Sequence, residues 1–249
     1  MKIGLVKHLN AKPLTFFFQN NPNFEILEDH PSALKEQLIS GNLDIALISS
    51  VECERNRDIL EYSTALGIAG FGKIQSILFY KNDNWESSEK NTIFADTSSL
   101  TSVSLLHLLL LHSGETGFSI EPMPPELIQK NFPRKQNSFM LIGDHALSNP
   151  NPEGFQPIDL CEWWTKEFQL PFVFAFWAYR KGVSFDTELF LNAYHDSMSK
   201  IDTIVSQEQR FSPEITKQYL TKDLHFLLSE KDLLGFQKFI EKLKSYELF

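Results

Sequence analysis

The chain has 249 residues, 42% of them hydrophobic and 22% charged, with a formal net charge of −9. This is the composition of a globular protein that can bury a core, and the length fits one large domain or two small ones. The acidic balance excludes a surface built to hold nucleic acid, so an anionic ligand must be met by local donors such as helix N-termini, hydroxyls and isolated cations.

Ile3–Val6 opens almost at once as a short apolar strand. No secretion signal precedes it and no run nears the ~18 apolar residues that span a bilayer, so a cytoplasmic protein without a membrane partner is expected. Turn residues at Asn10–Pro13 lead into the apolar run Leu14–Phe18, which reads as a helix start. Glu25–Leu27 is a candidate strand, and Pro31-Ser32 offers an N-cap to a helix with Leu34, Leu38 and Ile39 on one face and Gly41 at its stop. Ile45–Ile48 is a continuous apolar strand ending at Ser49-Ser50. The first fifty residues thus read as β-α-β-α-β with parallel strands, whose carboxyl ends are where open α/β sheets bind ligands.

Ser76–Tyr80 reads as a strand, and the polar stretch 81–91 as a crossing into a second lobe. Thr92–Ala95 is a strand, Asp96–Ser102 a hydroxyl-rich turn, and Leu105–Leu111 a helix. Ser138–Ile142 is a strand ending at Gly143-Asp144, and Phe172–Tyr179 an aromatic strand that returns to the first lobe. Helical patterns follow from about residue 185. In the last helix, Ser229 and Asp232 have the spacing of a capping box, and Leu233, Phe236, Ile240 and Leu243 share a face that reads as packing.

The strongest chemical signal is Thr97, Ser98, Ser99, Thr101 and Ser102 at a helix start, where free N–H groups and hydroxyls suit a carboxylate or phosphate; a plain helix cap would need only one of them. Asn10 follows the first strand and can both donate and accept, though holding the turn before Pro13 is its simpler use. Lys7 and His8 offer nearby positive charge, Ser50 and Ser76 sit at strand boundaries, and Gly70 and Gly72 would let the backbone approach a ligand. Cys53 and Cys161 lack metal or redox spacing, and His107 and His112, five apart, fall on different helix faces. G-I-A-G-F-G has the wrong glycine order for a dinucleotide site, and neither Gly-x-Ser-x-Gly nor a metallohydrolase motif occurs.

The segments H-L-N-A-K-P-L, G-N-L-D-I-A-L-I-S-S-V-E, D-T-S-S-L-T-S-V, L-I-G-D-H-A-L and L-P-F-V-F-A-F-W-A, in this order, resemble the chorismate dehydratase family of the futalosine route to menaquinone. The resemblance implies an α/β, two-lobed type II periplasmic-binding-protein-like fold, with a mixed sheet in each lobe and the ligand cleft between them. One lobe is expected at 1–82 and 177–249, the other at 83–176. It further implies dehydration of chorismate, a small dicarboxylate, with no metal or organic cofactor. Carried over by position, Asn10 and Ser76 would be the catalytic pair. Ser98, Ser99, Thr101 and Ser102, with Thr97, would form the carboxylate-binding helix start, and Ser50, Gly143 and Asp144 would contribute to substrate binding. Two departures stand out: Lys7-His8 where the family more often has Ser-Tyr, and G-F-G-K-I-Q-S in place of a G-P-V-x-S type of turn. The same fold also serves binding or sensing proteins for small carboxylates and the related lyase acting on cyclised futalosine, so these readings stand beside the first.

Overall fold

A computed structural model describes residues 1–85, 90–96, 98–132, 137–148 and 151–249. Its strands form two mixed sheets. The first takes β1 (Lys2–Leu5), β2 (Glu25–Glu28), β3 (Ile45–Ser49) and β4 (Leu60–Gly70), in the order β11-β4-β10-β3-β1-β2, completed by β10 (Phe172–Arg180) and β11 (Leu224–Leu227). The second has the order β7-β6-β8-β5-β9, from β5 (Ile77–Asn82), β6 (Asn91–Ala95), β7 (Phe118–Pro122), β8 (Ser138–Ile142) and β9 (Phe155–Asp159).

β1 pairs in parallel with β2 and β3, as the alternating pattern of the first fifty residues predicts, and β10 then lies antiparallel between β3 and β4. The helix predicted at Leu14 starts at Lys12, with Pro13 in its first turn, where a missing N–H costs nothing. The next helix, Pro31–Ile39, is capped by His30 rather than by Ser32, because Pro31 occupies the first helical position. The helix predicted at Leu105–Leu111 extends over Leu100–His112, and the final helix, Glu230–Ser245, has the predicted capping box of Ser229 and Asp232.

The expected boundaries at 82/83 and 176/177 do not coincide with the sheets. Strand 77–82 pairs with β8 and β9 in the second sheet, and 172–180 pairs wholly within the first. The chain therefore passes between sheets at 71–76 and 160–171, not at 81–91. The cause is that β5 is apolar enough to fill a central position: Ile77, Phe79 and Tyr80 are buried there.

Both passages meet at one carboxylate. Asp159 caps the helix Leu160–Phe168 by accepting from Cys161 N at 3.0 Å and Glu162 N at 3.1 Å. Its other oxygen accepts from Ile74 N at 3.0 Å and Gln75 N at 2.6 Å. Gln75 has φ 63°, a left-handed conformation that is costly for a residue with a Cβ and persists only where its surroundings hold it. The next residue is Ser76.

One core runs through both passages. Phe18, Trp177 and Phe190 pack edge-to-face or tilted under β10, while Trp164, Phe172 and Phe239 do the same at the other end of that strand. No helix among the described residues is long and apolar enough to cross a membrane.

Candidate functional site

The carboxyl end of β1 runs into a 3-10 turn, Leu9–Ala11, that presents Asn10. On the facing side, Ser76 immediately precedes β5, and the helix Leu100–His112 presents its N-terminus to the same space. These elements enclose a cleft of about 680 Å³ of empty space, part of it open to solvent, lined by Asn10, Ser76, Ser98, Ser99, Ser102 and Gly143. Its remaining walls are mostly apolar, with Ile48, Ile68, Ile74 and Phe174 among them, and no Asp or Glu lines it among the described residues. A few convergent polar groups in a mostly apolar hollow are the usual make-up of a small-molecule site.

Ser76 and Ser99 are held from behind. Ser76 is buried, and its carbonyl accepts from Gly143 N at 2.7 Å. Gly143 has φ 59° and opens the short helix Gly143–Leu147; a side chain there would strain the backbone that touches Ser76. Ser99 caps its helix by accepting from Ser102 N at 3.4 Å and from Ser102 Oγ at 3.2 Å. Ser98 N donates to Asp96 Oδ1 at 2.9 Å, which leaves the Ser98 hydroxyl as the one least committed at this helix start.

Three of the expected residues take other places. Thr101 is fully buried and turned away from the cleft: its Oγ1 accepts from Val51 N at 3.0 Å and lies 3.2 Å from Ser50 Oγ. Ser50 Oγ in turn donates to the Val173 carbonyl at 2.8 Å. These two hydroxyls satisfy a helix start of the first sheet's layer with a group from the second, so they tie the halves together and do not line the cavity. The physical reason is register: Thr101 and Ser102 are neighbours in the helix, about 100° apart around its axis, so with Ser102 at the cleft Thr101 falls on the packed side. Asp144 sits outside the inner cleft, where its Oδ1 accepts from Leu9 N at 3.3 Å and its Oδ2 pairs with Arg210. Thr97 lies outside the described residues. Gly72 N is bonded to Thr165 Oγ1 at 2.8 Å, and neither Gly70 nor Gly72 lines the cleft.

Three residues that line the cleft, His8, Ser49 and Tyr219, are not among the expected site residues. His8 lines both the inner cleft and a wider mouth beside it, in which Lys7, His30, Asp96, Asp144 and Arg210 gather. Burial lowers the His8 pKa, an effect that exceeds the opposing pull of Asp144 and Asp96. Ser49 lines the cleft with a buried hydroxyl that has no partner among the described residues, and Asp96 Oδ2 is likewise buried and unpartnered near the mouth. Tyr219 lies beyond the last of the recognised segments in the chain and reaches the cleft through the turn Tyr219–Asp223. Among the described residues no cluster of three His, Cys, Asp or Glu could hold a metal ion.

Comparison with known proteins agrees with this architecture. The family described as menaquinone biosynthesis matches residues 1–245. The chain is 28% identical to the chorismate dehydratase of Thermus thermophilus, covering 97% of this chain and 94% of that protein. It is 26% identical to the chorismate dehydratase of Campylobacter jejuni, with 100% of both covered. Among solved structures, protein AF1704 from Archaeoglobus fulgidus superimposes with a TM-score of 0.77 at 15% identity, covering 100% of this chain and 98% of that one. The alkanesulfonate-binding protein SsuA from Xanthomonas axonopodis pv. citri, bound to MOPS, gives a TM-score of 0.68 at 14% identity, covering 100% and 93%. The fold is thus that of the periplasmic binding proteins, as the ordered segments imply. With a match that runs over nearly the whole chain, the protein belongs to the menaquinone biosynthesis family.

Proposed function

We propose that the protein is a hydro-lyase that dehydrates chorismate to 3-[(1-carboxyvinyl)oxy]benzoate, the activity carried in the names of its relatives. In this reading it acts in the cytoplasm, on the futalosine route to menaquinone. The observation that carries it is the convergence of Asn10, Ser76 and the Ser98–Ser102 helix start on one mostly apolar cleft. A dicarboxylate can be gripped there at both ends while its ring faces Ile48, Ile68 and Phe174.

Dehydration removes a ring proton and a neighbouring hydroxyl and leaves an aromatic ring, so the product supplies the driving force. What the protein must add is orientation and exclusion of water, since a flexible chorismate has competing rearrangements. The helix start, with the Ser98 hydroxyl and neighbouring N–H groups, receives one carboxylate. Asn10 and Ser76 orient the other end, Asn10 as both donor and acceptor. With no acidic side chain lining the inner cleft among the described residues, a carboxylate of the substrate itself takes the ring proton; the C–H electron pair enters the new ring double bond as the neighbouring C–O bond breaks, and the departing hydroxyl collects that proton and leaves as water. The two lobes, one on each sheet, close over the ligand and pivot where the chain passes between the sheets.

The test is incubation of the protein with chorismate and mass spectrometry of the products. Loss of one water, with formation of the substituted benzoate, supports the reading; unchanged chorismate rejects it. Wild-type kcat in both Asn10→Ala and Ser76→Ala would remove these two residues from the mechanism.

A further inference from the structure

Tyr219 stands apart from the other residues of the cleft. It is 1% exposed, and its hydroxyl is buried beside Ser76 but out of hydrogen-bonding geometry with it, so that it has no partner among the described residues. It also lines the cleft. A buried, unsatisfied hydroxyl costs free energy in the ligand-free protein and is uncommon in a settled core. A serine in this position can turn about χ1 to find a carbonyl. A phenol cannot, because its oxygen lies in the ring plane at a fixed reach.

The backbone that places it is also unusual. Tyr219 begins a π-helical turn, Tyr219–Asp223, which interrupts the end of the helix Pro213–Gln218 before β11. Such turns are rare and are frequent at functional sites. Here the widened turn puts Tyr219 in the cleft wall, which it shares with Ile74, Ser76 and Leu224.

We infer that Tyr219 is a further hydrogen-bond donor to the bound substrate, its phenol O–H and the Ser76 hydroxyl together gripping one oxygen substituent of the ligand. This rests on the proposed dehydratase reading for the identity of that ligand, but not for the contact itself. Burial pushes the phenol's pKa well up, so the group keeps its proton and acts as a donor, never as a base.

The experiment compares wild type and Tyr219→Phe in the full chain. The substitution keeps the ring and its packing and removes only the unpartnered oxygen. The ligand-free variant should melt at or above the wild-type temperature, while its kcat/KM for chorismate falls by about tenfold or more, as for a lost hydrogen bond to a substrate oxygen. A fall confined to kcat assigns the bond to the departing hydroxyl, and a rise confined to KM assigns it to a carboxylate. A kcat/KM within about twofold of wild type overturns the inference, since that is less than one hydrogen bond is worth. A large drop in the ligand-free melting temperature also overturns it, because the hydroxyl would then have a structural partner. If wild type leaves chorismate intact, the dehydratase reading fails, and the Tyr219 contact is read from the thermal shift produced by 3-[(1-carboxyvinyl)oxy]benzoate. A shift smaller in the variant than in wild type supports the contact; equal shifts, or none in wild type, overturn it.

Discussion

Inside the cleft, Ile48, Ile68, Ile74 and Phe174 surround a few hydroxyls and one amide, whereas at the mouth Lys7, His8, His30, Asp96, Asp144 and Arg210 crowd charges around about 1520 Å³ of more open space. The inner surface excludes water, so each hydrogen bond to a ligand there is strong and its loss is felt in full. At the mouth, solvent and salt screen much larger formal charges. Substitutions of similar chemistry should therefore have very different effects in the two regions.

The largest effect is expected from Asn10→Ala and Ser76→Ala, each lowering kcat/KM for chorismate by about 100-fold while leaving the melting temperature near wild type. Steady-state kinetics on the two variants measures it, and a loss of only a few-fold would erase the distinction between inner cleft and mouth. Thr101→Val comes next and sharpens it from the other side. It deprives Val51 N of its acceptor in a fully buried place, which should cost about 1–3 kcal/mol in denaturant unfolding, with kcat unchanged under conditions where the variant is folded.

Smaller consequences are expected at the mouth. Arg210 is half exposed, so Arg210→Ala should reduce stability by less than about 1 kcal/mol and raise KM a few-fold, the rise shrinking as salt is added. A salt-independent change would place Arg210 in contact with the ligand. The least should come from His8, which faces Asp144, Asp96, His30 and Arg210. Its pKa in the folded chain is lowered from the ordinary 6.5, so the unfolded chain binds the proton more readily. Stability should then rise with pH through the region near and below 6.5 and be lost as the pH falls. Thermal melts of His8→Gln across that range should have a flatter slope than wild type.

Most of the first fifty residues could be read from sequence because their signals are local: apolar runs of strand length, Pro13 and Pro31 at helix starts, and Gly41 at a helix end. The capping box at Ser229 was equally legible. β4 was not, since Leu60–Gly70 mixes Glu61, Thr64 and two glycines into a strand whose hydrogen bonds go to β10 and β11, both far along the chain. For the site, Asn10, Ser76 and Ser98 follow from where strands end and helices begin. The fate of Thr101 does not, because it depends on which face of its helix meets the helix at Ser50. Tyr219 belongs to no motif, and only the fold brings it to Ser76.

The carboxylate of Asp159 restrains both chain segments that run between the sheets, one through Ile74 and Gln75 and the other through Cys161 and Glu162. Two independent connections would let the halves slide as well as swing. Fastened together, they leave a single axle, so the halves can part at the mouth while the spacing near Ser76 hardly changes. Loosening that axle would then register first as faster exchange of ligand, before any change in how tightly it is held.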